Sequence, residues 1–313
     1  MVNNTPPAST VAFSVLDGVS ASRVHITAAH SSVLDFLCLR FPAVDEATWR
    51  HRFARQRVLD SQGKPLDPAN PCQAGEQIYY YRELPAERHI PFHEQILFQD
   101  EHLLVADKPH FLPVTPVGRF VQESLLVRLK RSTGIDTLTP IHRIDKDTAG
   151  LVLFSVNPDT RDAYQRLFRE RAMHKTYRAI APLLLDQHWP HTRHTRLEDD
   201  VQFFRSREVP GEPNSETRIQ LVQTHDTLGL YALYPTTGRK HQLRVHLAAL
   251  GAPILNDPLY PVVRVRHPAP DDFTHPLQLL AHALAFDDPV THQPRQFVSQ
   301  QALVFPPTTP VLP

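Results

Sequence analysis

The stretch His142-Arg143-Ile144-Asp145-Lys146-Asp147-Thr148-Ala149-Gly150, running directly into Leu151-Val152-Leu153-Phe154, decides how this chain organises its chemistry. The unbroken apolar run reads as a buried strand, and the polar residues before it read as a loop. Asp145 therefore stands where a loop feeds a buried strand, with Arg143 two residues earlier. From local sequence alone, such an aspartate is either an Asx-turn residue or a reactive carboxylate.

On the N-terminal side of this stretch, residues 95–109 read as strand, Asp-Glu turn and second strand ending in Lys108-Pro109, a hairpin signal. Residues 123–131 form a short helix with Leu125, Leu126 and Leu129 on one face, and Gly134 suits its exit. On the C-terminal side, Asn157 is a good N-cap and Pro158 fits the first helical position. The helix they open carries Tyr164, Leu167 and Phe168 on one face to about residue 172, and a strand follows over 175–180. Residues 186–213 lose apolar periodicity and read as a long, mobile surface insertion. Two strands, 217–223 and 228–234, turn at His225-Asp226, and Leu243, Leu247 and Leu250 mark a helix stopped by Gly251. Strands mixed with helices, without strict alternation, place the chain in the α+β class. The expected architecture is a mixed, largely antiparallel central sheet flanked by helices, plus a small N-terminal α/β module.

The chain has 313 residues, enough for one sizeable core and an appended module. Lys and Arg total 33 and Asp and Glu total 33, so bulk charge does not announce a nucleic-acid binder. Local clusters do suggest one: Arg50, Arg52, Arg55 and Arg57, then Arg166, Arg169, Arg171, Lys175 and Arg178. Solvated charged faces are the plainer reading of both. No apolar run reaches membrane-spanning length, and the first residues lack a basic and a hydrophobic region, so secretion is not expected. Cys38 and Cys72 are the only cysteines and read as free thiols in a reducing cytoplasm. His188, His191 and His194 are spaced by three, but Pro190 interrupts them and no recognised ligand spacing completes the set, so no metal is expected.

The chain divides into a lead over 1–31, a compact module over 32–84, a linker over 85–94 and a main domain over 95–313. In the module, Val33, Leu34, Leu37 and Phe41 recur at helical spacing, a second helix covers residues 46–53, and short strands follow at 57–66 and 75–81.

His142-Arg143-Ile144-Asp145 resembles the His-Arg-Leu-Asp signature of the RluA-type RNA pseudouridine synthases, with Ile144 for Leu and Ala149 for the commoner Ser. Three further segments resemble the family in the same order. They are Lys175-Thr176-Tyr177-Arg178-Ala179, Gly238-Arg239-Lys240-His241-Gln242-Leu243-Arg244-Val245-His246, and Gly251-Ala252-Pro253-Ile254-Leu255-Asn256-Asp257-Pro258-Leu259-Tyr260. In the last, Asn256 replaces the usual glycine, and asparagine tolerates the left-handed backbone glycine would supply. The resemblance spans about residues 95–305. The 32–84 module is similar in pattern to the S4-like RNA-binding module that often precedes this domain.

The resemblance implies isomerisation of uridine in ribosomal or transfer RNA, with no cofactor and no metal. Asp145 becomes the nucleophile, suited because a carboxylate is ionised at neutral pH. Arg244 becomes its ionic partner, placed with His241 three residues apart on one helix. Tyr177 stacks on the flipped uracil, at about 1–3 kcal/mol per stacked base, and Arg143 helps hold the base out. His142, Lys175, Arg239, His241 and Leu243 complete the expected substrate-binding set, with His246 capping or bracing its helix. The expected working form is a cytoplasmic monomer whose partner is RNA. A non-catalytic RNA-binding or chaperone protein keeping this fold is the alternative; a glycosidase would require a second carboxylate that these motifs lack. Arg52→Glu or Arg55→Glu is expected to weaken RNA binding and spare the fold.

Overall fold

The computed structural model describes residues 13–84, 86–202, 204–264 and 273–307. The first twelve residues of the expected lead and Pro85 of the expected linker lie outside the described residues. The chain divides into two compact units. One runs to Glu87 and adds Val117–Gln122 and Val127–Asp136; the other takes Arg88–Pro116, Glu123–Leu126 and the chain from Thr137 onward.

The first unit contains β1 (Ser22–His25), α1 (Val33–Arg40), α2 (Glu46–Ala54), β2 (Val58–Leu59) and β3 (Gln77–Tyr80), with an antiparallel sheet ordered β1-β3-β2. Both helices start on side-chain caps: Ser32 Oγ accepts from the Asp35 N–H at 3.0 Å, and Asp45 Oδ1 from the Thr48 N–H at 2.6 Å. Leu37, Trp49, Val58 and Ile78 meet in its core. The Arg50–Arg57 cluster, for which the sequence left nucleic-acid contact and a solvated face both open, is engaged within this unit. Arg52 is buried, with its guanidinium 4.5 Å from the Trp49 ring. Arg50 pairs with Glu46, and Arg55 and Arg57 both pair with Glu83. The expectation that Arg52→Glu spares the fold is therefore overturned, because it would bury an unpaired carboxylate.

The second unit is built around a large sheet. Its elements are β4 (Gln95–Gln99), β5 (Leu103–Lys108), α3 (Leu125–Thr133, its first two residues), β6 (Thr139–Pro140), β7 (Ala149–Ser155), α4 (Arg161–Arg169), β8 (His174–Pro182), β9 (His191–Asp199), β10 (Ser206–Val209), β11 (Ser215–His225), β12 (Leu228–Pro235), α5 (Gln242–Ala249), β13 (Leu279–Asp287) and β14 (Pro294–Val298). Among the described residues, eleven strands form the sheet, in the order β10-β9-β11-β12-β8-β13-β7-β5-β4, with β14 on β13 and β6 on β7. Its pairs are antiparallel except β13–β7, where Leu280 faces Ala149 and Ala281 faces Gly150. This is the α+β architecture, mixed and largely antiparallel. Gly150 has φ +111°, and a Cβ there would run into the Ala281 backbone, so only glycine lets the parallel joint close.

Tyr164 of α4 packs with Leu103, Val105, Leu151, Leu153 and Leu284. Leu243 and Leu247 of α5 pack with Ala179, Ile219, Tyr231 and Leu279. The Asn157 cap holds, its Oδ1 accepting from the Asp159 N–H at 2.9 Å, although the first turn is 3₁₀ and α4 begins at Arg161. The 186–213 segment is not a loose insertion. Its middle carries the antiparallel pair β9–β10, joined to the sheet through β9 and β11. Backbone pairing and side-chain bonds such as Arg193 to Glu208 hold it, so little apolar periodicity was needed or written into it.

Candidate active site

Asp145 lies in the loop between β6 and β7. The loop is gripped through its backbone: the Thr148 N–H donates to the Asp145 carbonyl at 3.2 Å, and Lys108 Nζ donates to the Lys146 carbonyl at 3.0 Å. His110 Nδ1 meets the Asp147 carbonyl at 2.7 Å. Behind it, the Leu153 N–H donates to His142 Nε2 at 3.1 Å, and the His142 ring stacks on Phe168 with centroids 4.6 Å apart. These contacts make His142 a brace for the loop. Burial pushes its pKa down to about 3, so it is neutral.

Arg244, on α5 and 99 residues away in sequence, brings its Nη1 to 3.1 Å from Asp145 Oδ2. The rest of its guanidinium is held by Asp257: Nε to Oδ2 at 2.8 Å and Nη2 to Oδ1 at 2.7 Å. Asp257 Oδ1 also accepts the backbone N–H groups of Leu259 and Tyr260. Burial would lower the Arg244 pKa, but the bidentate Asp257 bond and the field of Asp145 raise it. Burial alone would raise the Asp145 pKa, yet His241 and Arg244 together hold it below the usual carboxylate value. The result is an ionised carboxylate, its side chain 31% exposed, seated on a cation only 2% exposed.

His241 reaches the same oxygen, with Nε2 3.8 Å from Asp145 Oδ2. It is not on the helix, as the sequence suggested, but caps it with a left-handed φ of +55°. Tyr177, in the middle of β8, is half-buried. Burial and then Asp145 raise its pKa, which keeps the phenol protonated. One ionised carboxylate, one locked arginine, one neutral phenol and a histidine therefore converge.

The sequence profile of the RNA pseudouridylate synthase family matches residues 102–249, the segment that carries Asp145, Tyr177 and Arg244. A protein of Synechocystis sp. named as an uncharacterized RNA pseudouridine synthase is 33% identical over 231 residues, 73% of this chain and 79% of its own length. The chain belongs to the RNA pseudouridine synthases. It is thus an isomerase that modifies RNA. The dual-specificity RNA pseudouridine synthase RluA of Vibrio cholerae is 33% identical over 213 residues, covering 63% of this chain and 78% of that one. The solved structure titled Human RNA Pseudouridylate Synthase Domain Containing 1 shares the fold with a TM-score of 0.56 at 21% identity, over 69% of this chain and 86% of that one.

Around the centre of this synthase, the other expected residues divide by contact. Arg143 is exposed. Lys175 Nζ donates to the Thr237 carbonyl at 3.0 Å, and burial with help from Arg171 pushes its pKa down to about 8. Arg239 is exposed, its Nε donating to the Asn214 carbonyl at 3.3 Å. Leu243 is buried against β8 and β12 residues and packs there. His246 is fully buried and braced by the hydroxyls of Thr195, Ser215 and Thr217 at 3.0–3.1 Å.

Two residues that sequence reasoning missed complete the site. Asp257 stood in a segment to which the sequence assigned no site residue, yet it anchors Arg244; Asn256 beside it has φ +63°, the left-handed turn expected there. Lys108 closes the Lys-Pro strand end and is fully buried. Burial pushes its pKa down to about 7, against the pull of Asp147 and Asp145. A lysine ending a continuous buried strand was the available signal. Among the described residues no group of three His, Cys, Asp or Glu side chains is placed to hold a metal, and no helix is long and apolar enough to cross a membrane.

Proposed function

We propose that this synthase isomerises selected uridines of ribosomal or transfer RNA, as a cytoplasmic monomer, with Asp145 as the reacting carboxylate. The observation that carries the reading is the Asp145–Arg244–Asp257 chain, with 3.1 Å on one side of the arginine and 2.7–2.8 Å on the other. It keeps Asp145 charged in a recess that would otherwise favour the neutral acid. The reaction breaks the uridine C1′–N1 bond and joins C5 to C1′; the C5 proton leaves and N1 gains one. Asp145 can serve either by attacking C1′ to form an ester or by removing the C2′ proton to give a glycal. Tyr177 stacks on the detached uracil and, being un-ionised, can donate or relay a proton. Arg143 fills the place of the extruded nucleotide, since its planar charged head both stacks and binds phosphate. Lys175, Arg239 and His241 serve as contacts for the RNA backbone. The 32–84 module adds a minor contact, because Arg50, Arg55 and Arg57 are paired with carboxylates and Arg52 is buried.

The dual-specificity name of the Vibrio cholerae relative is a reason to test both RNA kinds together. The experiment is pseudouridine mapping of total RNA from deletion cells complemented with wild type or Asp145→Asn, alongside release of tritium from 5-tritiated uridine in transcripts of both kinds. Asp145→Asn is expected to lower the rate by at least about 10³-fold. Full restoration of a lost site by Asp145→Asn would reject the assignment.

A further inference from the structure

Tyr260 is 3% exposed and belongs to no motif position to which chemistry was assigned, yet it touches the catalytic shell and β10 at once. Its hydroxyl accepts from the Ser206 N–H at 2.7 Å and donates to the Ser206 carbonyl at 3.1 Å. The same oxygen lies 3.0 Å from His241 Nδ1, with the two rings at 88°. A phenol has one proton and two lone pairs. With the proton directed to the Ser206 carbonyl and one lone pair taken by the Ser206 N–H, the remaining lone pair faces Nδ1. Nδ1 must then carry a hydrogen, an assignment made from the bonding network. That fixes the plane of the imidazole and leaves Nε2, directed at Asp145, as the nitrogen that gains and loses the second proton, the one through which His241 supports the Asp145 charge. Ser206 is itself buried at the start of β10 and paired with Asp199 of β9. Leu197 of β9, Val245 of α5 and Tyr260 pack together, and Lys240 beside His241 bonds Asp199 at 3.1 Å. The β9–β10 pair is thus tied to the catalytic shell at several points.

We propose that Tyr260 is a positioning residue, which, held by both backbone groups of Ser206, sets the orientation and tautomer of His241 against Asp145. The β9–β10 pair is then the anchor of the catalytic shell rather than a peripheral ornament. The inference rests on the proposed role of Asp145. It does not require knowledge of the natural target RNA.

The test compares Tyr260→Phe, His241→Asn and the double variant in tritium release from 5-tritiated transfer and ribosomal RNA. Asparagine keeps the left-handed backbone at 241 but does not reach Asp145. Tyr260→Phe is expected to lower kcat about tenfold, as the loss of one hydrogen bond to a polar network would, with KM unchanged. In the His241→Asn background the same change is expected to add nothing. Losses that multiply in the double variant, or a Tyr260→Phe enzyme of full activity, would overturn the proposal. A second measurement needs no RNA: ¹⁵N spectra of the histidine rings, with His241 identified by its disappearance in His241→Asn. The His241 ring signal is expected to shift in Tyr260→Phe, recorded well below the melting temperature, which falls because the Ser206 backbone groups lose their partner; an unchanged signal also overturns the proposal. An active Asp145→Asn enzyme would instead defeat the reading of the site itself, which separates the two failures.

Discussion

Each unit of this synthase buries an arginine, and the two are treated in opposite ways. Arg52 is 5% exposed, lies over the Trp49 ring, and has one long bond, 3.4 Å, to the Glu83 carbonyl. Its Nε is buried without a partner, and desolvation lowers its pKa. Arg244 is 2% exposed but has a bidentate carboxylate behind it and the Asp145 carboxylate in front. Burial alone therefore makes a structural cation, whereas burial with a dedicated counter-charge makes one that tunes its neighbour. With Asp257 neutralising part of Arg244, the remaining N–H can hold Asp145 ionised without a lone buried charge.

The largest break of this contrast is Arg244→Met. It leaves Asp145 and Asp257 facing one another without their cation, so stability should fall by about 3–5 kcal/mol and tritium release should disappear. Denaturant unfolding and the tritium assay read the two effects; a folded, active Arg244→Met enzyme would show that the arginine is dispensable. Next is Arg52→Glu, which reverses a buried charge and should cost about 2–4 kcal/mol. In the folded fraction kcat should be unchanged, which separates the structural arginine from the one that holds Asp145.

Lys108 sharpens the comparison from a third direction, as a buried cation without a bidentate partner. The folded chain releases its proton near pH 7, whereas an unfolded lysine keeps it to about 10.5. Unfolding takes up a proton between these values, so stability rises with pH across the window, by at most about 1.4 kcal/mol per pH unit. Lys108→Met should flatten that rise, measured by urea unfolding at pH 7.5 and 8.5. Arg55→Glu should do least. Its side chain is 52% exposed and paired with Glu83, so the loss should stay below about 1 kcal/mol, with little change in the salt dependence of RNA binding.

The candidate site was legible in sequence where chemistry demands particular residues. Asp145, Tyr177, His241 and Arg244 stand in short motifs whose order needs no coordinates. Asp257 was not legible as a partner: nothing in a turn sequence says which arginine its carboxylate faces. His142 and Leu243 share those motifs but are used for bracing and packing, a distinction made only by what surrounds them. The β9–β10 pair escaped because its strands are held by backbone pairing and exposed charged side chains, which leave little trace in apolar spacing.

Local sequence by itself determined the strand after Asp145, the Asn157-Pro158 helix start, the Gly251 stop and the set of reactive residue types. These depend on backbone preference, burial period and covalent chemistry, all of which are properties of neighbours along the chain. Tertiary structure alone decided that Arg244 lies between Asp145 and Asp257, that Lys108 and Arg52 carry no carboxylate clamp, and that Tyr260 bridges Ser206 and His241. Those arrangements depend on distances between residues remote in sequence. Charge interactions and hydrogen bonds act through space at a few ångströms, whatever the separation along the chain.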